Sequence, residues 1–297
     1  MSDGIAALVG IDMETDVGSW TPEWTGLVQG TPKLLDLFDA RGLEATFYFT
    51  GESAEKYPEV VRAVRDRGHE VGCHSLYHET VGEEMFPLPG VHPLLPAEVR
   101  PRLEMATRIV ENAAGSRPVS FRAPRLWGSN GMVNALEALG YVADLTYPLF
   151  FHRKQCAPYH PSSADWREKG DLKILEIPNF ADMSMESHDP HGRDRDQWPL
   201  LRTQGAGVLL RKAESFVALV RSKGLPPVLS FYFHPWEFVP LKPVYAMSEA
   251  SIAFAEFLTM NTGDAALAGL DALMGGLERM GARFSTAQAF AEAGGRP

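Results

Sequence analysis

Short apolar runs alternate with amphipathic stretches along most of this chain. Runs of strand length occur at Ile5–Ile11, Ala45–Phe49, Glu70–Cys73, Val119–Phe121, Tyr141–Ala143, Lys173–Ile177 and Val228–Phe233, with a last one at Ala282–Ser285. Between them the apolar residues fall at helical spacing. The first such stretch opens with Thr31-Pro32, a capping residue followed by proline at the first helical position. It places Leu34, Leu35, Leu37 and Phe38 on one side and stops at Gly42. A second begins near Pro58, carries Val60, Val61 and Val64, and ends at Gly68. Further helices are predicted over about 97–114, 130–139, 206–223 and 264–280. Strands alternating with helices imply a parallel α/β sheet, flat or closed into a barrel.

Two segments interrupt the rhythm. Residues 82–96 are rich in proline and glycine, and the stretch 149–205 is long, aromatic and His-rich. Long loops in a compact chain are most often functional lids. With no repeat and no linker, the 297 residues are expected to form a single domain over 1–297, enlarged by these two insertions.

Charge narrows the partners. Lys plus Arg number 28 against 38 Asp plus Glu, a net charge of −10, which disfavours nucleic acid and anionic membrane surfaces. It favours a neutral or cationic small substrate. Two cysteines, Cys73 and Cys156, make no disulfide framework. Asp3 stands where a secretory signal has basic residues, and the apolar run after it stops at Asp12, so a cytoplasmic location is expected. No apolar stretch is long enough for a membrane span.

The candidate chemistry is positional. Asp12, His74, Arg122, Asp144 and His234 each fall at or just after the C-terminal end of a predicted strand, the edge where parallel α/β architectures bind ligands. In Glu70–Cys73, Val71 and Cys73 should face the helices, and Gly72 and His74 the other side. If the chain turns helical after His74, His78 lies one turn on. Two imidazoles there, with a carboxylate, suit a divalent cation. Taken alone, the pair reads equally as an ordinary loop or core pair. Asp12 and Glu14 lie two apart and point the same way if the strand continues. One could act as base while the other ligates, or both could belong to a solvated acidic loop. Arg122 could orient Asp12. His234 could donate a proton to a leaving group, with Asp144 raising its pKa. His188 and His191 could form a second metal site, a solvated loop or a substrate-selecting lid over 187–198.

Taken together, Asp12/Glu14, His74-Ser-Leu-Tyr-His78, Arg122-Ala-Pro124, Asp144 and Ser230-Phe-Tyr-Phe-His234 resemble the ordered motifs of the polysaccharide deacetylases, the NodB-homology enzymes of carbohydrate esterase family 4. The resemblance implies a distorted (β/α) barrel of about seven parallel strands. It implies Asp12 as catalytic base, Arg122 as its holder, His74 and His78 as metal ligands, and His234 as general acid assisted by Asp144. The family's commonest first motif has adjacent aspartates. Asp12-Met-Glu14 is closer to the cytoplasmic peptidoglycan-deacetylase-like and allantoinase-like branch, with Glu14 in the ligand place and Asp16 as the alternative.

The function implied is metal-dependent hydrolysis of a linear C–N amide bond. The expected reaction is N-deacetylation of an amino sugar or related small molecule by a metal-bound water. The cofactor is one divalent ion, zinc first, with cobalt or nickel as alternatives. Pro124, Trp127, Tyr147 and Trp236 are candidate walls for the amide-bearing small molecule or oligosaccharide. Opening of a cyclic amide or imide is the second reading, and a catalytically silent carbohydrate-binding protein the third. A homo-oligomer is left open.

Overall fold

The computed structural model describes residues 4–297; Asp3, which entered the N-terminal reading, lies outside the described residues. The first strand, β1 (Ile5–Met13), is the hub of the sheet. One of its edges runs along β7 (Val228–Phe233), from Ala6 opposite Val228 to Ile11 opposite Phe233. Its other edge is shared. β10 (Ala282–Phe284) pairs with Ile5–Ala7, and β2 (Thr46–Phe49) pairs with Gly10–Met13. From β2 the sheet continues through β3 (Glu70–Cys73), β4 (Ser120–Phe121), β5 (Ala143–Asp144) and β6 (Leu175–Glu176). Every pairing in this sheet is parallel. Beyond β6 a bridge between Asn179 and Ser230 brings the chain back against β7, so β1–β7 curl into the expected (β/α) barrel. An antiparallel hairpin, β8 (Val244–Ala246) and β9 (Ser251–Ala253), stands apart.

The curl follows from strands buried on both faces, which read as near-continuous apolar runs. In β1, Ala7, Val9, Ile11 and Met13 pack outward against the helices. Ala6 and Leu8 point inward with Tyr48, Leu145 and Ile177 to fill the barrel floor. Gly10, Asp12 and Glu14 continue that inner face toward the C-terminal mouth. The two-residue period thus hands the polar positions of the first motif to the barrel interior.

The predicted strands are all present, though the one placed at Tyr141–Ala143 falls at Ala143–Asp144. Helices run over Thr31–Arg41, Pro58–Asp66, Pro96–Ala114, Asn130–Ala138, Ala206–Ser222 and Asp264–Arg279. Gly42 ends the first with φ of 62°, a conformation that glycine adopts without a Cβ clash. Thr31 does not cap that helix. A π-helical turn at Gly26–Gly30 leads straight into it, so the Thr31 amide already has Gly26 as its acceptor. A short helix at Gly51–Lys56 was not anticipated; the Thr50 hydroxyl caps it by accepting from the Ser53 amide at 3.0 Å. No helix among the described residues is long and apolar enough to cross a membrane.

Candidate active site

At the mouth, strand ends far apart in sequence converge. Asp12 meets Arg122, from the end of β4, through an Nη1–Oδ1 hydrogen bond of 2.8 Å. The guanidinium is fully buried and lies 4.6 Å over the Tyr48 ring. It also donates to the carbonyls of Leu145 at 3.3 Å and Phe231 at 3.4 Å. Its space exists because residue 10 is glycine: a Cβ there would stand 2.2 Å from Nη1 and 2.7 Å from Cζ. Arg122 therefore clamps Asp12 from one side and ties β1 to β5 and β7 from the other.

Glu14, His74 and His78 are buried, and their donor atoms lie within 4.8 Å of one another. Glu14 Oε2 is 2.5 Å from His78 Nε2 and 3.6 Å from His74 Nε2. Among the described residues Oε2 accepts no hydrogen bond, which is the condition of an atom left over for a cation. His74 Nδ1 lies 2.7 Å from the Arg122 carbonyl, so it must donate there and leave Nε2 with its lone pair outward. His78 Nδ1 lies 2.7 Å from Ser19 Oγ. Burial works to raise the Glu14 carboxyl, but His78, His234 and His74 outweigh it and hold it well below its usual range. Burial lowers the His78 pKa, which favours the neutral imidazole that ligates metals. The donor set suits a divalent ion.

The two histidines do not share a helix face, as the four-residue spacing had suggested. Residues 74–79 form a loop in which Ser75 (φ 64°) and His78 (φ 58°) are left-handed. The Glu79 carboxylate holds it by accepting from the Tyr77 amide at 2.5 Å, the Leu76 amide at 3.3 Å and Ser75 Oγ at 3.2 Å. Asp16 is turned away from the cluster. It accepts from the amides of Gly26 at 2.8 Å and Thr25 at 3.1 Å, so the carboxylate beside the imidazoles is Glu14. Cys73 packs outward in the core, where burial pushes its thiol up to about 12.

His234, just past β7, faces Glu14, with Nε2 3.8 Å from Oε1. Its carboxylate partner is Glu237, not Asp144. Glu237 Oε1 lies 3.0 Å from His234 Nδ1 and accepts the His234 amide at the same distance. Arg202 Nε at 2.5 Å and Trp198 Nε1 at 3.2 Å hold Glu237 in turn. Burial works to lower the His234 pKa, but Glu14 and Glu237 raise it above the ordinary value. Asp144 instead accepts from Thr146 at 2.5 Å and interacts with Glu176 inside the barrel, where burial raises it to about 6.

The cavity at this mouth has a volume of about 370 Å³ and is lined by Asp12, Glu14, both imidazoles and His234. Both insertions reach it, the first through Phe86 and Leu88 and the second through Arg193 and Trp198. Trp236 lines it as expected, and its Nε1 donates to Glu14 Oε1 at 3.3 Å. Trp127, Tyr147 and Pro124 do not line it. Trp127 is buried against Phe86, and Tyr147 against Tyr159 and Trp166, because the long loops fold over them and leave them no exposed face. His191 packs 5.1 Å from Phe86, and no second group of three metal-donating side chains forms among the described residues. Glu237 and Gly10 carried no weight in the sequence. A His-Pro-x-Glu run, a cap with proline at N1 and Glu at N3, was the available signal for Glu237.

Residues 16–143 match the family model described as "Polysaccharide deacetylase", a span that holds His74, His78 and Arg122. A peptidoglycan deacetylase-like protein of Gibberella zeae is 26% identical over 178 residues, 54% of this chain and 48% of that protein. The matched span is less than half the length of the curated relatives. Among solved structures, PuuE allantoinase gives a TM-score of 0.64 at 16% identity, covering 97% of this chain and 89% of the other. A Mycobacterium smegmatis protein assigned to the polysaccharide deacetylases gives 0.62 at 18% identity, covering 99% and 91%. At these identities the structures speak for the fold.

Proposed function

We propose that this chain belongs to the polysaccharide deacetylases, whose family model matches residues 16–143, and is a metal-dependent hydrolase of a linear C–N amide bond, acting on an N-acyl group of an amino sugar or related small molecule. The observation that carries the reading is the convergence of the Asp12–Arg122 pair, the Glu14/His74/His78 donors and the His234–Glu237 pair on one cavity. Glu14, His74 and His78 would hold one divalent ion, zinc by its donor chemistry, and that ion when bound supplies a Lewis acid and eases deprotonation of water.

The chain's own groups divide the proton work. Asp12, held in place by Arg122, takes the proton of the attacking water. Arg122 keeps that carboxylate aimed inward, since its other donors are anchored on two strands. His234 offers a proton from Nε2 to the departing nitrogen, and Glu237 at Nδ1 steadies the protonated ring. Acid–base groups of this kind typically contribute about 10²–10⁴-fold. The insertions wall the cavity through Phe86, Leu88, Arg193 and Trp198.

The size of the cavity favours a second reading as well. A space of about 370 Å³ accommodates a single ring, so a cyclic amide or imide is an alternative substrate. Mass spectrometry over a small panel separates the two, by released acetate against a ring-opened acid. For the mechanism, metal analysis of the purified protein should find about one divalent ion. His74→Ala should lose both that ion and hydrolysis; retention of full activity by this variant would refute the proposal.

A further inference from the structure

We propose that Arg125 selects a substrate that carries a carboxylate beside the amide to be cleaved; the catalytic part of this inference rests on the hydrolase reading above, the binding part does not. Arg125 lines the cavity. Its Nη1 is spent on the chain, donating to the His78 carbonyl at 2.9 Å and to Thr80 Oγ1 at 3.3 Å. That anchors the guanidinium next to the backbone of a metal-site histidine. Among the described residues, Nε and Nη2 make no hydrogen bond and no carboxylate lies within 4.0 Å of this side chain. Glu14 and Glu79 act on it only through space.

The other arginines at the site have carboxylate partners. Arg122 has Asp12, while Glu14 sits against the two ligand imidazoles. Arg193 pairs with Asp196 at 2.8 Å and stacks 4.8 Å over Phe150. Arg125 alone of these presents an unmatched charge, in a wall that otherwise includes Phe86, Leu88, Leu126 and Trp236. Leaving a partly buried guanidinium without an anion is costly, and a planar carboxylate fits its two free donors side by side.

The backbone supports the same assignment. Arg125 (φ 61°) and Leu126 (φ 60°) are consecutive left-handed residues, neither of them glycine. Strain of this kind persists where it aims a side chain at a ligand. The net charge of −10 is thus a poor guide to the cavity, whose local cation reverses the preference for a neutral or cationic substrate.

The test uses the full chain and two matched pairs of probes that differ in charge. These are N-acetylglycine against N-acetylglycinamide, and N-acetylmuramic acid against N-acetylglucosamine. Binding is measured by calorimetric competition on metal-free protein, where no cation can attract the carboxylate, and acetate release on protein loaded with zinc, cobalt or nickel. The anionic member of each pair should bind about tenfold or more tightly. Arg125→Gln should abolish that ratio, and Arg125→Lys should keep part of it. No charge preference in the wild type, or a preference that survives Arg125→Gln, overturns the proposal. A charge preference without acetate release on any metal supports it and counts against the hydrolase reading; acetate release without the preference does the reverse.

Discussion

Gly10→Ala probes the Arg122 clamp on Asp12, the proposed base, without touching any side chain of the proposed chemistry. The new methyl would stand 2.2 Å from Arg122 Nη1, 2.5 Å from Nη2 and 2.7 Å from Cζ, far inside contact distance. The guanidinium has no free direction to move. Tyr48 lies beneath it, and the carbonyls of Leu145 and Phe231 flank it. Overpacking of this kind costs about 1–3 kcal/mol. Breaking a buried ion pair outright costs about 3–5 kcal/mol, of which a displaced but still present guanidinium loses a part. Removing a strand glycine returns about 0.5–1 kcal/mol. The net expectation is a loss of roughly 2–5 kcal/mol, a fall in melting temperature on the order of 3–8 °C for a chain this long. Activity should fall by about 10²-fold or more, because Asp12 loses its orientation. Bound metal should stay near that of the wild type, since the three proposed ligands Glu14, His74 and His78 are untouched. The assay is steady-state hydrolysis with metal analysis and a thermal melt on each sample. Arg122→Lys in the Gly10→Ala background should cost less than the sum of the two single changes, as a thinner side chain relieves the same collision. Wild-type turnover and stability in Gly10→Ala, or strict additivity in the pair, would refute the clamp.

Two other changes test the groups around it. Glu237→Gln should lower kcat about 10–10²-fold with KM and bound metal little changed, because the amide cannot satisfy both His234 and Arg202; Glu237→Asp should recover part of the loss in steady-state assays. With a carboxylate no longer raising His234, the basic limb of its pH–kcat profile should move to lower pH. Asp144 is held up to about 6 by burial beside Glu176, itself raised by burial and by Asp144. The folded state therefore binds more protons than the unfolded chain between about pH 4 and 6, so stability falls as pH rises through that window. Asp144→Asn should flatten the fall and leave the variant up to about 3 kcal/mol better off at pH 8 relative to pH 4 than the wild type is; parallel melts at the two pH values with equal changes for both proteins would contradict this.

What the amino-acid order determines here is the barrel and the edge at which its chemistry gathers. Alternating strand and helix patterns imply parallel strands, and parallel strands present all their C-terminal ends at one mouth. Asp12, His74, Arg122 and His234 are legible as a set because each sits at such an end. Cys73 is legible as core because the two-residue period sends it outward. The pairings across the mouth are of another kind. Asp12 and Arg122 are 110 residues apart, and whether they touch depends on an empty space at Gly10 that no local pattern encodes. Asp144 lies at a strand end like the others, yet β5 turns it toward Glu176, while His234 finds its carboxylate three residues along its own chain. Trp127 and Tyr147 carry the composition of a binding wall, but only the folding of the long insertions decides that they are covered and that Phe86, Trp198 and Arg125 are not. Local periodicity is set by the backbone's own repeat; which side chain is left facing an open cavity is set by the packing of segments that meet only in the folded chain.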